Sequence, residues 1–401
     1  MIEAAVTGMG CICSLGKSVP DFWGGLIAGK TGISNITAFP CDHLRSAMAG
    51  EVKLSEELMQ YARKRGIKSR IQLFLRWALD EAITDRDISS RSLEDKTVGL
   101  VVGTSLGMSL VRESLEVGTD HGEGEYGTLE GFSDYLNETA DACGIHGEVL
   151  VISTACASGA NAIGIAKDMI ALEGYDMVVC GGVDSLDRMK YLGHSALNTL
   201  TQTSIRPFSP RRDGTLFGEG AGILVLEKSS ALGAGAGTPY AACIGTGYSC
   251  DAHHFTAPDP DGKGAARVMR EALHDAGISP EDVGYINLHG SGTYLNDSME
   301  AGAIQEVFGQ AASRIPLSSI KPAIGHAMGA AGALEAIATV LSVKRRKIPP
   351  TLNLDPTKDA FSSFLINRCA EDATIRYAVS NSFGFGGCNG AVVFSRWEET
   401  I

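Results

Sequence analysis

The sequence predicts an α/β fold with largely buried sheets, and three observations carry that reading. Short apolar runs recur along the 401 residues, many of the 49 glycines fall at their ends, and helix-period segments lie between them. Continuous apolar runs closed by glycine are the mark of strands covered on both faces. Strands alternating with helices imply mixed layers rather than a sandwich or a bundle.

Taken in order, "RIQLFLRWALDEAI" (70–83) has helical periodicity, and "TVGLVVGTSLG" (97–107) and "EVLVISTAC" (148–156) read as strands. "ANAIGIAKDMIALEG" (160–174) is a second helix, followed by strands in "YDMVVCGGVDS" (175–185) and "AGILVLEKSS" (221–230). "SSALGAGAGTPY" (229–240) is the best junction between halves. After it, "YAACIGTGYSC" echoes the opening "IEAAVTGMGC", which suggests two halves of similar design, 1–235 and 236–401.

Composition limits the function classes. A formal net charge of −13 argues against a general nucleic-acid binder. The N-terminal residues lack a basic segment followed by an apolar one, and no run of 18 apolar residues exists. Ten scattered cysteines without a C-x-x-C pair read as reduced thiols, not as a disulfide framework or a metal site, and a cytoplasmic enzyme is expected. "GGLIAGKT" (24–31) matches the phosphate-loop pattern letter for letter, yet a helix precedes it where that motif requires a strand. Pro20 suits the first turn of that helix and Gly29 its end, so the segment is read as a helix C-terminus.

Cysteine usually packs in cores, the reading that suits Cys143, Cys180, Cys243 and Cys369. Cys156 differs because it sits where a strand passes into a helix, with Ala155, Ala157, Ser158 and Gly159 around it. The positive end of a helix dipole favours thiolate there. His289, in "INLHGSG", and His326, in "KPAIGHAMGAAG" five residues after Lys321, stand at glycine-flanked element ends, where active sites of α/β folds gather. The adjacent His253 and His254 read as structural or site-lining. The turn "VSNSFGFGGCNGAVV" (379–393) can aim backbone N–H groups at an oxyanion, or can simply be a tight strand connection.

"TACASG", "RPFSPRRDGTLFGEGAGILVLE", "HGSGTYLND" with Glu300, "KPAIGHAMGAAGALE" and "NSFGFGG" occur in the order found in β-ketoacyl-acyl carrier protein synthases, and the chain resembles that family over nearly its whole length. The resemblance implies a thiolase fold: two similar halves forming a five-layer αβαβα core, normally dimeric. It implies that Cys156 is the acyl-accepting nucleophile, with His289, His326 and Lys321 as catalytic residues. The N–H groups of Cys156 and Phe385 then form the oxyanion hole, and Glu300 and Glu335 support the site from behind. Leu106, Thr256, Ser291, Thr293, Phe383 and Phe385 correspond to substrate-lining positions. Lys64 and Lys68, in "ARKRGIKSR", correspond to docking positions for an acidic acyl carrier protein, whereas "KRRK" (344–347) reads as a solvated face.

The implied reaction is decarboxylative condensation of an acyl thioester held on Cys156 with malonyl-acyl carrier protein, for fatty acid or polyene/polyketide chain elongation. It needs no metal or redox cofactor, since phosphopantetheine arrives on the carrier. Ser291 stands where threonine is usual, Tyr294 where proline is common, Cys388 where threonine or serine is usual, and Met108 where glycine is usual. These departures favour a specialised chain, such as a polyene or other polyketide. The alternatives are the catalytic subunit of a heterodimer with a chain-length partner, a non-catalytic pocket-shaping subunit, or a degradative thiolase. The last would carry a second cysteine in a C-x-G turn, and Cys388 lies elsewhere.

Overall fold

The computed structural model describes residues 4–88, 93, 96–105, 131–232, 237–355 and 361–398. The first half contains strands β1 (Ala4–Cys13), β2 (Ser34–Asn35), β3 (Met48–Ala49), β4 (Val98–Gly103), β5 (Val149–Ile152), β6 (Met177–Asp184) and β7 (Gly220–Lys228). Its helices are α1 (Val19–Ile27), α2 (Glu56–Arg65), α3 (Arg70–Asp85), α4 (Phe132–Ala142), α5 (Ser158–Leu172) and α6 (Arg188–Ala196). The second half contains β8 (Ala241–Cys250), β9 (Val283–Asn287), β10 (Pro316–Ser318), β11 (Lys347–Ile348), β12 (Leu365–Ile366), β13 (Glu371–Asp372), β14 (Tyr377–Phe383) and β15 (Cys388–Ser395). Its helices are α7 (Lys263–Ala276), α8 (Tyr294–Phe308), the single turn α9 (Lys321–Ile324) and α10 (Ala331–Arg345).

The two halves share one topology. The first orders its strands β5-β4-β6-β7-β1 and the second β10-β9-β14-β15-β8, with β12 added at the edge. In each, the three strands farthest from the junction run parallel and the last two turn antiparallel. The halves meet where β1 pairs with β8 through Ala4, Ala5 and Val6. Helices α5 and α10 each touch strands of both halves and so lie between the two sheets, with α3 outside the first sheet and α7 and α8 outside the second. The outcome is the five-layer αβαβα thiolase fold.

Side-chain alternation explains why both faces of each strand are apolar. Leu100 and Val102 enter the outer core with α3, whereas Val101 enters the central core with α5 and α10. Helix α10 is buried from Ala331 through Val343, and a helix apolar all round belongs in a core. Its internal hydroxyls bond back to the helix, Thr339 to Glu335 O at 2.7 Å and Ser342 to Ala338 O at 2.8 Å, so none is stranded.

The echo between the two half-openings has a physical cause. Gly8 and Gly10 of β1 lie under α3, and Gly245 and Gly247 of β8 lie under α7. A side-chain carbon at Gly10 would overlap the Ala78 carbonyl, and one at Gly247 the Val268 carbonyl. Each G-x-G therefore lets a helix backbone cross its strand in contact. The phosphate-loop look-alike is a helix end: α1 has Ser18 as N-cap, Pro20 in its first turn and Gly29 at φ 64° beyond its last residue. Gly247→Ala is expected to cost about 1–3 kcal/mol of stability from forced overlap. Gly24→Ala, on α1 with open space around it, should gain up to about 1 kcal/mol from helix propensity. Urea unfolding of the two variants checks both signs.

Candidate active site

Strand β5 ends at Ile152, and Ala155–Ala157 form a single 3-10 turn before α5 begins. Ala155 has φ 52°, a left-handed conformation that costs a non-glycine residue about 1–3 kcal/mol. Ser158 secures the turn: its Oγ donates to Ala155 O (2.6 Å) and accepts from Thr154 N (2.9 Å). Cys156 is thereby set at the entrance of α5, only 7% exposed.

The second half repeats the device. Met328 has φ 52° and opens a 3-10 turn, Met328–Ala330, that leads into α10. His326 precedes it, its N–H bonded to Leu216 O at 2.7 Å. His289 follows the end of β9, and Glu300 holds its loop by accepting the His289 and Gly290 N–H groups, each at 2.8 Å. Burial pushes the Glu300 carboxyl up to about 8 against those two bonds. The imidazoles of His289 and His326 stand edge to face, with centroids 5.2 Å apart.

Hydrogen bonding assigns both ring tautomers. The Met328 N–H donates to His326 Nδ1 at 3.3 Å, and the Lys321 ammonium faces His289 Nδ1 at 3.3 Å while donating to His289 O at 2.5 Å. With both Nδ1 atoms accepting, the proton of each neutral ring sits on Nε2. Burial, then Lys321, holds both imidazoles well below the ordinary histidine range, so both are neutral donors. Lys321 also pairs with buried Glu335, whose carboxyl burial raises to about 7.

Cys156 departs from the expected thiolate. Burial pushes its thiol up to about 11, and the Lys321 charge and the Phe385 N–H aimed at the sulfur pull only part of the way back. The helix entrance does not outweigh desolvation here. At rest the nucleophile is a thiol.

Cys156, His289, His326, Thr256, Ser291, Thr293, Phe383 and Phe385 line one cavity of about 310 Å³. Ser291 and Thr293 share a hydrogen bond at 3.0 Å. Lys321, Glu300 and Glu335 sit behind the cavity wall, all buried. Lys64 and Lys68 are exposed on the surface, at and just beyond the C-terminal turn of α2. In the same basic run, Arg63 pairs with Glu56 and Arg65 with Asp80, whereas Arg70 is buried against Glu219. Leu106 and Met108 lie outside the described residues. Cys180 and Cys243 are buried and Cys143 is half-buried, but Cys369 is exposed, because its loop beyond β12 lies outside the core. His253 and His254 are exposed, and His254 Nδ1 accepts the Thr256 and Ala257 N–H groups at 3.1 and 3.2 Å, a structural task.

Sequence reasoning misses two residues. His194, on α6, stacks on Phe385 (5.0 Å, 12°), meets Phe217 edge-on (4.6 Å) and bonds Thr199 Oγ1 through Nδ1 at 2.8 Å. Burial, then Lys190, lowers its pKa to about 4, so it is a neutral flat wall of the cavity. Asp184, ending β6, accepts from Ser105 N (3.0 Å), Gly329 N (2.6 Å) and Lys190 Nζ (2.8 Å), tying both halves together beneath the site. Only its place at a strand end could have drawn attention to it.

A thiol at a buried helix entrance, in one cavity with two neutral imidazoles, on a duplicated α/β scaffold, belongs to the condensing enzymes of the thiolase fold, which move acyl groups through thioesters. The comparisons are specific. The β-ketoacyl synthase N-terminal domain matches residues 2–231 and its C-terminal domain residues 240–355. The chain is 34% identical over 414 residues to 3-oxoacyl-[acyl-carrier-protein] synthase 2 of Synechocystis sp., covering 99% of this chain and 98% of that one. It is also 34% identical to the protein of that name from Vibrio cholerae over 98% and 99% of the two chains. Among solved structures it superposes on a chain of the ishigamide ketosynthase/chain length factor with a TM-score of 0.88 at 32% identity, covering 99% and 100%. On a chain of the Xenorhabdus doucetiae ketosynthase ApeO in complex with its chain length factor ApeC the TM-score is 0.82 at 28% identity, covering 99% and 98%. The chain belongs to the β-ketoacyl synthase family. It is a ketosynthase, an acyltransferase that forms carbon–carbon bonds between carrier-bound thioesters.

Two outcomes follow from the geometry. Alkylation of Cys156 by iodoacetamide, followed by peptide mass, should rise about tenfold per pH unit from pH 7 to 9 without levelling, as a thiol titrating near 11 requires. A plateau by pH 8 would refute the raised value. His194→Ala should slow acylation of Cys156 about 2- to 10-fold, the equivalent of one aromatic pair, and His194→Phe should restore it.

Proposed function

We propose that Cys156 carries the growing acyl chain and that His289 and His326 stabilise the nucleophile that extends it. Cys156 attacks the thioester of an acyl-carrier protein. Its sulfur forms the new C–S bond, the pantetheine sulfur leaves, and the cysteine proton departs with it as the free pantetheine thiol. Malonyl carrier then enters, and loss of CO₂ leaves an enolate whose oxygen takes hydrogen bonds from the two Nε2–H groups. The enolate carbon attacks the acyl-cysteine carbonyl. The Cys156 and Phe385 N–H groups hold the resulting oxyanion until the cysteine sulfur leaves and takes up a proton from solvent, giving the β-ketoacyl carrier and restoring the thiol. Lys321 and Glu335 act from behind by fixing the His289 ring and its tautomer. The observation that carries this reading is the shared cavity: a sulfur under the Phe385 N–H, lining one space with two imidazoles whose Nδ1 atoms are already occupied.

The partner is an acyl carrier protein, whose acidic surface suits Lys64 and Lys68. The flat His194–Phe385 wall supports a planar, conjugated chain, and so a polyene or other polyketide over a saturated fatty chain. Likeness to ketosynthase/chain length factor assemblies favours a pair with a related chain, in which this one is the catalytic half. Strand β5 offers the seam: it is an edge strand of four apolar residues, all half-buried, and such an edge is left for another chain to cover.

Intact-protein mass after incubation with saturated and polyunsaturated acyl-carrier proteins tests the assignment. The wild type should gain one acyl group, faster from the unsaturated donor, and Cys156→Ala none. His326→Ala should still acylate, yet lose about 10²–10³ in condensation rate. An adduct on Cys156→Ala, or equal losses in both steps for His326→Ala, would overturn the roles given.

A further inference from the structure

Cys250 ends β8 and Cys388 begins β15, and the two are direct partners across the antiparallel ladder. The Asp251 N–H donates to Gly387 O at 2.9 Å, a bond between the residues that flank the pair. Cys250 and Cys388 therefore occupy a non-hydrogen-bonded position, where Cα atoms lie about 4.5 Å apart and side chains project to the same face. That separation is inside the range that disulfides span, about 4.4–6.8 Å. Both cysteines are free thiols, and both sulfurs border Gly386: the Cys250 S–H donates to Gly386 O at 3.6 Å, and a carbon on Gly386 would sit 3.9 Å from Cys388 Sγ. Cys250 is exposed and Cys388 half-buried, so a small oxidant reaches them, whereas Cys11, Cys13, Cys156, Cys180 and Cys243 are buried.

The pair sits at the foot of the turn that serves the nucleophile. Gly384 N donates to Cys388 O and Gly386 N to Phe255 O, both at 2.8 Å, and Gly386 and Gly387 are left-handed at φ 77° and 72°. Between Gly384 and Gly386, Phe385 directs its N–H at Cys156 and its ring at His194. Cys156, Gly384 and Phe385 line the same cavity, so the turn forms part of the wall past which an acyl chain reaches the thiol.

We propose that Cys250 and Cys388 form a reversible cross-strand disulfide that clamps the Gly384–Gly387 turn and slows acyl loading of Cys156. A low-molecular-weight disulfide such as oxidised glutathione supplies the oxidant. The Cys250 thiolate attacks one of its sulfurs and releases glutathione thiolate. The Cys388 sulfur then attacks the Cys250 sulfur of the mixed disulfide and releases the second glutathione. Two protein thiols are oxidised and one glutathione disulfide is reduced to two thiols.

The test uses the full-length chain treated with oxidised glutathione and then freed of it. The expected product is about 2 Da lighter than the reduced protein, for two hydrogens lost, with the peptides bearing Cys250 and Cys388 joined in a non-reduced digest. Its acylation rate should be about tenfold lower, a fraction of what losing an oxyanion donor outright costs, and should recover with dithiothreitol. Cys250→Ser should acylate like the reduced wild type and ignore the oxidant. Persistent glutathione adducts without the cross-link, a link between other cysteines, or an unchanged rate in the cross-linked protein would each overturn the proposal. The cross-link is scored by mass whatever Cys156 does, so its failure is distinct from failure of the acyl-transfer reading.

Discussion

The site depends on one contact, the meeting of two helix entrances at backbone distance. Helices α5 and α10 begin side by side between the sheets, and only small residues occupy the seam. A side-chain carbon on Gly159 would come within 2.7 Å of Gly329 O, and one on Gly332 within 2.6 Å of Ala160 N. Any larger residue at either glycine would drive the helices apart and carry Cys156 away from His326. Both helices are entered through a left-handed residue, Ala155 and Met328, each at φ 52°. Strain of that kind persists only where the surroundings over-determine the backbone, and a core enclosing α10 on every side does so.

Electrostatics then assigns tasks within the enclosed volume. Taking an ionisable group out of water favours its neutral form, and here that keeps the cysteine a thiol and both histidines neutral. Lys321 shifts the balance toward negative charge on the cavity side, because it lies beside His289 and lowers the cost of an anion at Cys156. Its pairing with Glu335 holds it in place. The cavity therefore presents N–H dipoles and one flanking cation to any oxyanion that forms.

Much of this was legible in the sequence because glycine and small residues mark where backbones approach. The strands closed by glycine, the thiol at a strand-to-helix turn and the helix end disguised as a phosphate loop follow from local rules, and they match the structure. His194 was not legible. It lies inside the short helix that follows β6, not at a glycine-flanked element end, and only tertiary packing brings it against Phe385, which is far away in the chain. The thiol's protonation was misread because the dipole of α5 is visible in the sequence, whereas the depth of burial is a property of all five layers together. The exposure of Cys369 has the same origin, since packing decides it and residue type does not.

The raised thiol and the Cys250–Cys388 pair fit one logic. A nucleophile that stays protonated reacts slowly with stray electrophiles and oxidants, because thiolate is the reactive form. It gains reactivity only when a thioester carbonyl reaches the Phe385 and Cys156 N–H groups and the transition state takes over the stabilisation that burial denies the free anion. Cys250, exposed at the rim of the same turn, meets an oxidant before the buried Cys156 does. Placing the sacrificial pair one turn away from the catalytic thiol lets oxidation be registered at the wall of the site while the carbon–sulfur chemistry inside remains reversible.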